Sequence, residues 1–167
     1  MTSGYLVMGV SGCGKSTVAR MIAERLGGKF LDADDFHPPE NIAKMKSGIP
    51  LTDEDRLPWL ECLSKTLQEE IASGSHPVLA CSALRQKYRD TLLAGNPGIR
   101  IVYLKGTRSL IGARLAQRSG HFMPYTLLES QFAILEEPSG INVHVANLEE
   151  SPEQIVEGIL IERGFSA

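Results

Sequence analysis

Cysteine is scarce: Cys13, Cys62 and Cys81 are the only three in 167 residues, and they lie far apart. No C-x-x-C spacing occurs, which excludes a disulfide framework and the usual zinc patterns and points to a reducing, cytoplasmic setting. An excess of positive charge is also lacking. Lys plus Arg number 17 against 20 Asp plus Glu, a net charge of −3, so no general field attracts nucleic acid or an anionic membrane. No apolar run approaches the roughly 18 residues of a membrane span. The apolar stretch Tyr5–Val10 has no basic lead and no small-residue cleavage pattern, which argues against a secretory signal. Internal repeats and low-complexity tracts are missing. So are the base-reading N/T-K-x-D and the switch D-x-x-G of GTPases. What remains is ordinary: 43% hydrophobic and 22% charged residues, in a length that fits one domain, 1–167.

The pattern along the chain is an alternation of strands and helices. Strands are expected at Tyr5–Val10, Lys29–Asp34, Pro77–Ser82, Ile99–Leu104 and Ile141–Ala146. Helices are expected at Lys15–Leu26, from Pro39 through Met45, from Thr52 through Ile71, and at Leu84–Leu93. Three more follow at Ser109–Gln117, Thr126–Leu135 and Pro152–Arg163. Thr52 with Asp55 three residues later resembles a capping pair with Asp in place of Glu. This order predicts an α/β fold with a central parallel sheet of about five strands flanked by helices.

Gly9-Val10-Ser11-Gly12-Cys13-Gly14-Lys15-Ser16 satisfies G-x-x-x-x-G-K-[ST] between a predicted strand and a predicted helix. Glycines let backbone N–H groups turn inward around an anion, and the helix N-terminus adds partial positive charge. In this layout Lys15 reaches the β and γ phosphates and the Ser16 hydroxyl ligates Mg²⁺. The nucleotide site thus comprises Gly9, Ser11, Gly12, Cys13, Gly14, Lys15, Ser16 and Thr17. Cys13 reads as a small side chain filling a loop position; a thiol made reactive by Lys15 is the alternative.

The third strand ends without the Asp that usually holds the metal in P-loop proteins. Asp32 and Asp34, at the end of the second strand, are the carboxylates left at the crevice edge. Period-two spacing puts both on one face of that strand, one near Mg²⁺ and the other accepting a proton from an attacking hydroxyl; of the two, Asp34 is taken as the base and Asp32 as the metal's partner.

Several blocks resemble the gluconokinase family: Gly9–Thr17 (GVSGCGKST), Asp32–Pro38 (DADDFHP), Asn41-x-x-Lys44-Met45 and Gly48–Leu60 (GIPLTDEDRLPWL). Cys81–Arg85 (CSALR), Tyr103–Gly106 (YLKG), His121–Pro124 (HFMP) and Leu127–Leu135 (LLESQFAIL) continue the resemblance in the family's order. Cys13 and Ile134 depart from it, standing where serine and threonine are expected. The resemblance implies a three-layer P-loop kinase fold like that of shikimate and nucleoside monophosphate kinases, with a helical lid at about 108–128. It also implies a homodimer, and transfer of the ATP γ-phosphoryl to the 6-hydroxyl of D-gluconate.

Such a substrate needs cations for its carboxylate and polar groups for its hydroxyls. Arg56 is expected to clamp the carboxylate, Arg85 to hold either substrate or phosphoryl oxygens, and His37 to bond a hydroxyl, with Lys44 a further substrate group projecting from the short helix after Pro39. Arg114 and Arg118, four residues apart, and His121 belong to the expected lid over the triphosphate. Lys105 and Arg108 read as solvated, and Trp59, Phe122 and Phe132 as packing. The catalytic set is therefore Lys15, Asp34 and Arg118, with ATP and Mg²⁺. A kinase for another small hydroxy acid such as shikimate, or a nucleotide-binding regulator without turnover, are the competing readings.

Overall fold

The structure is a computed structural model that describes residues 2–117 and 125–162. Five strands form one parallel sheet: β1 (Gly4–Met8), β2 (Lys29–Asp32), β3 (Pro77–Ala80), β4 (Ile99–Lys105) and β5 (Val143–Asn147). Their order is β2-β3-β1-β4-β5, so β1 is central and the connection from β3 to β4 crosses over it. The seven helices of the described residues are α1 (Lys15–Leu26), α2 (Pro39–Lys46), α3 (Asp53–Ala72), α4 (Gln86–Leu93), α5 (Arg108–Gln117), α6 (Tyr125–Ile134) and α7 (Pro152–Glu162).

Strand alternation sorts the core into two layers. Tyr5 and Val7 of β1, with Val78 and Val102, face Val18 and Ile22 of α1 and Ile155, Val156 and Ile159 of α7. Leu6 and Met8, with Leu79 and Ile101, face Leu60, Leu63 and Leu67 of α3 and Leu92 of α4. Every residue of β1 and β3 is buried, as expected of strands covered on both faces. Burial of each large aliphatic side chain contributes about 1.5–3 kcal/mol, so this double layer fixes the sheet and hence the loops at its carboxyl edge.

Three boundaries matter for the site. β1 stops at Met8, and Gly9 begins the loop. β3 stops at Ala80, which leaves Cys81–Arg85 as a loop before α4. β2 stops at Asp32, and Ala33–Phe36 wind into a single 3-10 turn. The period-two expectation for Asp32 and Asp34 is thereby corrected. The Asp32 carboxylate accepts the Asp34 backbone N–H at 3.0 Å, and this local bond competes with extension of the strand. Among the described residues no helix is long and apolar enough to cross a membrane.

Candidate active site

The phosphate loop ends in a helix start left uncapped by the described residues. Gly14 precedes α1 with φ 89° and ψ 25°, a left-handed conformation natural to glycine, and among the described residues no side chain bonds to the N–H groups of the first turn. Those groups, with the positive end of the helix dipole, remain available to an anion. At Gly12 (φ +84°) a Cβ would come within 2.6 Å of the Leu115 side chain, so the loop packs closely under α5. Lys15 arches back over the loop, its Nζ donating to the Val10 carbonyl at 3.2 Å. Ser16 and Thr17 are exposed at the helix start. The Cys13 thiol is buried and its pKa is raised by that burial, which Lys15 only partly opposes; this favours the packing role over a reactive thiolate.

Gln131 of α6 grips the same loop. Its Oε1 accepts the Ser11 backbone N–H at 2.7 Å and its Nε2 donates to Ser11 Oγ at 3.0 Å. The two residues are 120 positions apart, and nothing local in the sequence announces the pairing. On the outer side of the loop lies a cavity of about 160 Å³. Gly12, Cys13, Gly14 and Thr17 form one wall, and Arg114, Leu148 and Pro152 the other. Arg114 is held there by its Nη2 donating to the Leu148 carbonyl at 2.6 Å.

Across the crevice stands Asp34. The protein around it raises its pKa through desolvation first and the Asp32 carboxylate second, while His37 and Lys15 pull the other way. The buried Cys81 thiol at the end of β3, pushed up to about 12 by burial, also feels Lys15, Asp34 and Asp32. The crevice beyond β1, β2 and β3 therefore brings Lys15, Asp32, Asp34 and His37 together. His37 stacks on Trp59 with ring centroids 4.1 Å apart and planes 14° apart. Trp59 is fixed in turn, its Nε1 donating to the Ala33 carbonyl at 2.8 Å.

Arg56 is set by a second network. Its Nη1 donates to the Tyr88 hydroxyl at 3.1 Å, and its guanidinium lies 5.3 Å from the centre of the Tyr88 ring. Tyr88 donates onward to Asp53 at 2.5 Å, and Asp53 also pairs with Lys87. Those two hydrogen bonds, Lys87 first, bring Asp53 down to about 2. Arg85 is the residue before α4 and acts on both Asp53 and Tyr88 through its charge. Behind it, Arg89 is only 1% exposed and donates to the carbonyls of Ala83 at 2.6 Å and Glu136 at 2.7 Å. Ala83 has φ 45°, a strained conformation for a residue with a Cβ, and Arg89 is the side chain that braces it.

Lys44 is placed differently from the other expected substrate groups. Its Nζ bonds both Asp55 oxygens at 2.9 Å. Asp55 closes the α3 capping box with Thr52, and these bonds, Lys44 first, bring its carboxyl down to about 2. Lys105 pairs with Glu137 at 3.1 Å and Arg108 with Glu129 at 3.3 Å, both on the surface, in keeping with solvated roles. Arg118, His121 and Phe122 lie outside the described residues, as does Arg163 at the expected end of α7. Asn41, Tyr88, Arg89 and Gln131 were given no role by sequence. Asn41 and Gln131 lie within blocks that carry the family resemblance; a tyrosine or arginine on an amphipathic helix carries no comparable mark.

A parallel sheet of this order, with an uncapped glycine loop after its central strand and acids after the next, defines the small-molecule kinases of the P-loop class. A protein-family model described as "AAA domain" matches residues 5–138. Over 151 residues the chain is 50% identical to a Mus musculus protein named "Probable gluconokinase", covering 80% of this chain and 82% of that one. It is 43% identical over 161 residues to the thermosensitive gluconokinase of Escherichia coli (strain K12), covering 91% and 86%. The crystal structure of a gluconokinase from Sinorhizobium meliloti 1021 matches with a TM-score of 0.85 at 43% identity, covering 95% of this chain and 90% of that one. The chain belongs to the gluconokinase family.

Proposed function

We propose that the protein moves the γ-phosphoryl group of ATP to the 6-hydroxyl of D-gluconate, giving 6-phosphogluconate and ADP. The observation that carries this reading is Asp34, flanked by Lys15 on the phosphate side and His37 on the other. An acid so placed has a task in an acceptor kinase and none in a protein that only binds nucleotide.

The loop N–H groups and Lys15 hold the β and γ phosphates, and the adenosine occupies the cavity beside Arg114. Asp34 accepts the proton of the 6-hydroxyl as its oxygen bonds to the γ phosphorus and the bond from phosphorus to the ADP oxygen breaks. Arg56 and Arg85 bind the gluconate carboxylate, and His37 its hydroxyls. Lys44 joins them on substrate entry while remaining the partner of Asp55. Arg118 and His121 complete the lid, Arg118 against the transferring charge.

Ser16 and Asp32 are the residues that would hold Mg²⁺. They fit it in donor type, a hydroxyl and a carboxylate. Among the described residues no cluster of three or more acids, histidines or cysteines forms a metal cage of its own. Mg²⁺ is ordinarily held in this way, by one or two side chains together with substrate phosphates. When bound it neutralises charge on the phosphates. Chelation is expected to abolish turnover and added Mg²⁺ to restore it; turnover that persists in chelator removes the metal from the mechanism.

The three cysteines are free, in keeping with a cytoplasmic enzyme. Family membership supports a homodimer, checked by light scattering. The acceptor is tested by ATP consumption with gluconate, shikimate, other sugar acids and nucleoside monophosphates. The highest kcat/KM is expected with gluconate. A better acceptor overturns the substrate, and turnover with none overturns the kinase.

A further inference from the structure

Asn41 sits in the first turn of α2 and is only 2% exposed. Its Nδ2 is 2.9 Å from the Asp55 backbone carbonyl and 3.3 Å from His37 Nδ1. A backbone carbonyl can only accept, so the amide orientation is fixed and the NH₂ group faces both neighbours. With one hydrogen committed to Asp55, the second points at His37. A ring nitrogen facing an N–H must present its lone pair, so Nδ1 carries no proton. Burial lowers the His37 pKa, with Asp34 opposing and Arg56 assisting, which keeps the ring neutral near pH 7. A neutral imidazole has one proton, and it is on Nε2. That atom has no hydrogen-bond partner among the described residues. The ring cannot swivel freely, because it is stacked on Trp59.

We infer that His37 meets the acceptor substrate only as a hydrogen-bond donor, through Nε2–H, and that Asn41 is the positioning residue that fixes this tautomer. The inference rests on the reading of the crevice as an acceptor site. Two consequences follow from the chemistry. The substrate atom opposite His37 is one that accepts, a hydroxyl oxygen or a carboxylate oxygen. His37 also drops out as a rival to Asp34 for the hydroxyl proton, since its one free lone pair is turned toward Asn41. Asn41 also ties this arrangement to α3, because the carbonyl that orients it belongs to Asp55, one residue before Arg56.

Long-range ¹⁵N–¹H NMR of the intact protein reads the tautomer directly. The chain has four histidines, and His37→Gln assigns the His37 signals by their loss. In the wild type at pH 7, Nδ1 is expected at the unprotonated position and Nε2 at the protonated one. In Asn41→Asp the carboxylate can only accept, so at a pH where the ring is neutral its one proton moves from Nε2 to Nδ1, and Nε2 no longer donates. KM for gluconate is then expected to rise about 5- to 10-fold, the effect of one lost neutral hydrogen bond, with KM for ATP unchanged. A protonated Nδ1 in the wild type overturns the inference, and this spectrum does not depend on whether any variant folds. An unaltered ring pattern in folded Asn41→Asp removes Asn41 from the role. The expected spectrum without gluconate turnover overturns the donor role together with the acceptor reading. Gluconate turnover with the reversed tautomer overturns this inference alone.

Discussion

The two walls of the crevice are built by opposite means. On the nucleotide side, nine consecutive residues, Gly9–Thr17, make a site from backbone conformation, and the helix start is left uncapped for an anion. On the acceptor side, Asp34 with His37, Arg56, and Arg85 come from three separate segments, and side chains hold two of the groups: Asn41 and Trp59 hold His37, and Tyr88, itself bonded to Asp53, holds Arg56. A backbone site is damaged where a residue cannot adopt the conformation. A side-chain site is damaged wherever one link is truncated, and each link costs the grip on one ligand group.

The reacting carboxylate, where the two walls meet, is where substitution tells most. Asp34→Asn is expected to lower kcat by about 10²–10⁴-fold without unfolding the protein, the usual range for loss of a general base. Unchanged turnover in the folded variant removes Asp34 from that role. The same group sets a pH dependence. Asp34 accepts a proton only when ionised, and its pKa is raised. Activity is therefore lost as pH falls through a value above the usual ~3.9 of an aspartate, and not only below it. A kcat/KM profile against pH checks this.

On the nucleotide wall, Gly12→Val asks a β-branched residue to adopt φ +84° and to enter space held by Leu115. A loss of about 1–3 kcal/mol is expected, read as a lowered Tm, with a raised KM for ATP. On the acceptor wall, Tyr88→Phe removes the hydroxyl that accepts from Arg56 and donates to Asp53. KM for gluconate should rise about 2- to 10-fold, as for one ordinary hydrogen bond, with kcat and KM for ATP unchanged. If KM for ATP rises as much, the two walls are not separable.

This division also sets what could be read from sequence. The phosphate loop is contiguous, so its motif could be recognised whole, and the helix Lys15–Leu26 falls where periodicity puts it. Alternation of strands and helices implies a parallel sheet, but its order is decided by long-range packing. Asp32 and Asp34 were legible as crevice acids because they end a strand. Their geometry was not, since a side chain to backbone bond turned the chain two residues early. Asn41, Tyr88 and Gln131 act through partners 4 to 120 residues away, and no local pattern encodes such pairings.

Equilibrium titration of ATP and of gluconate, each alone, against Lys15→Ala and Arg56→Ala tests the two-wall division most directly. Lys15→Ala should weaken ATP and leave gluconate binding intact. Arg56→Ala should weaken gluconate about 10- to 100-fold, as for a charge-assisted hydrogen bond, and leave ATP intact. Either substitution weakening both ligands equally would contradict the division.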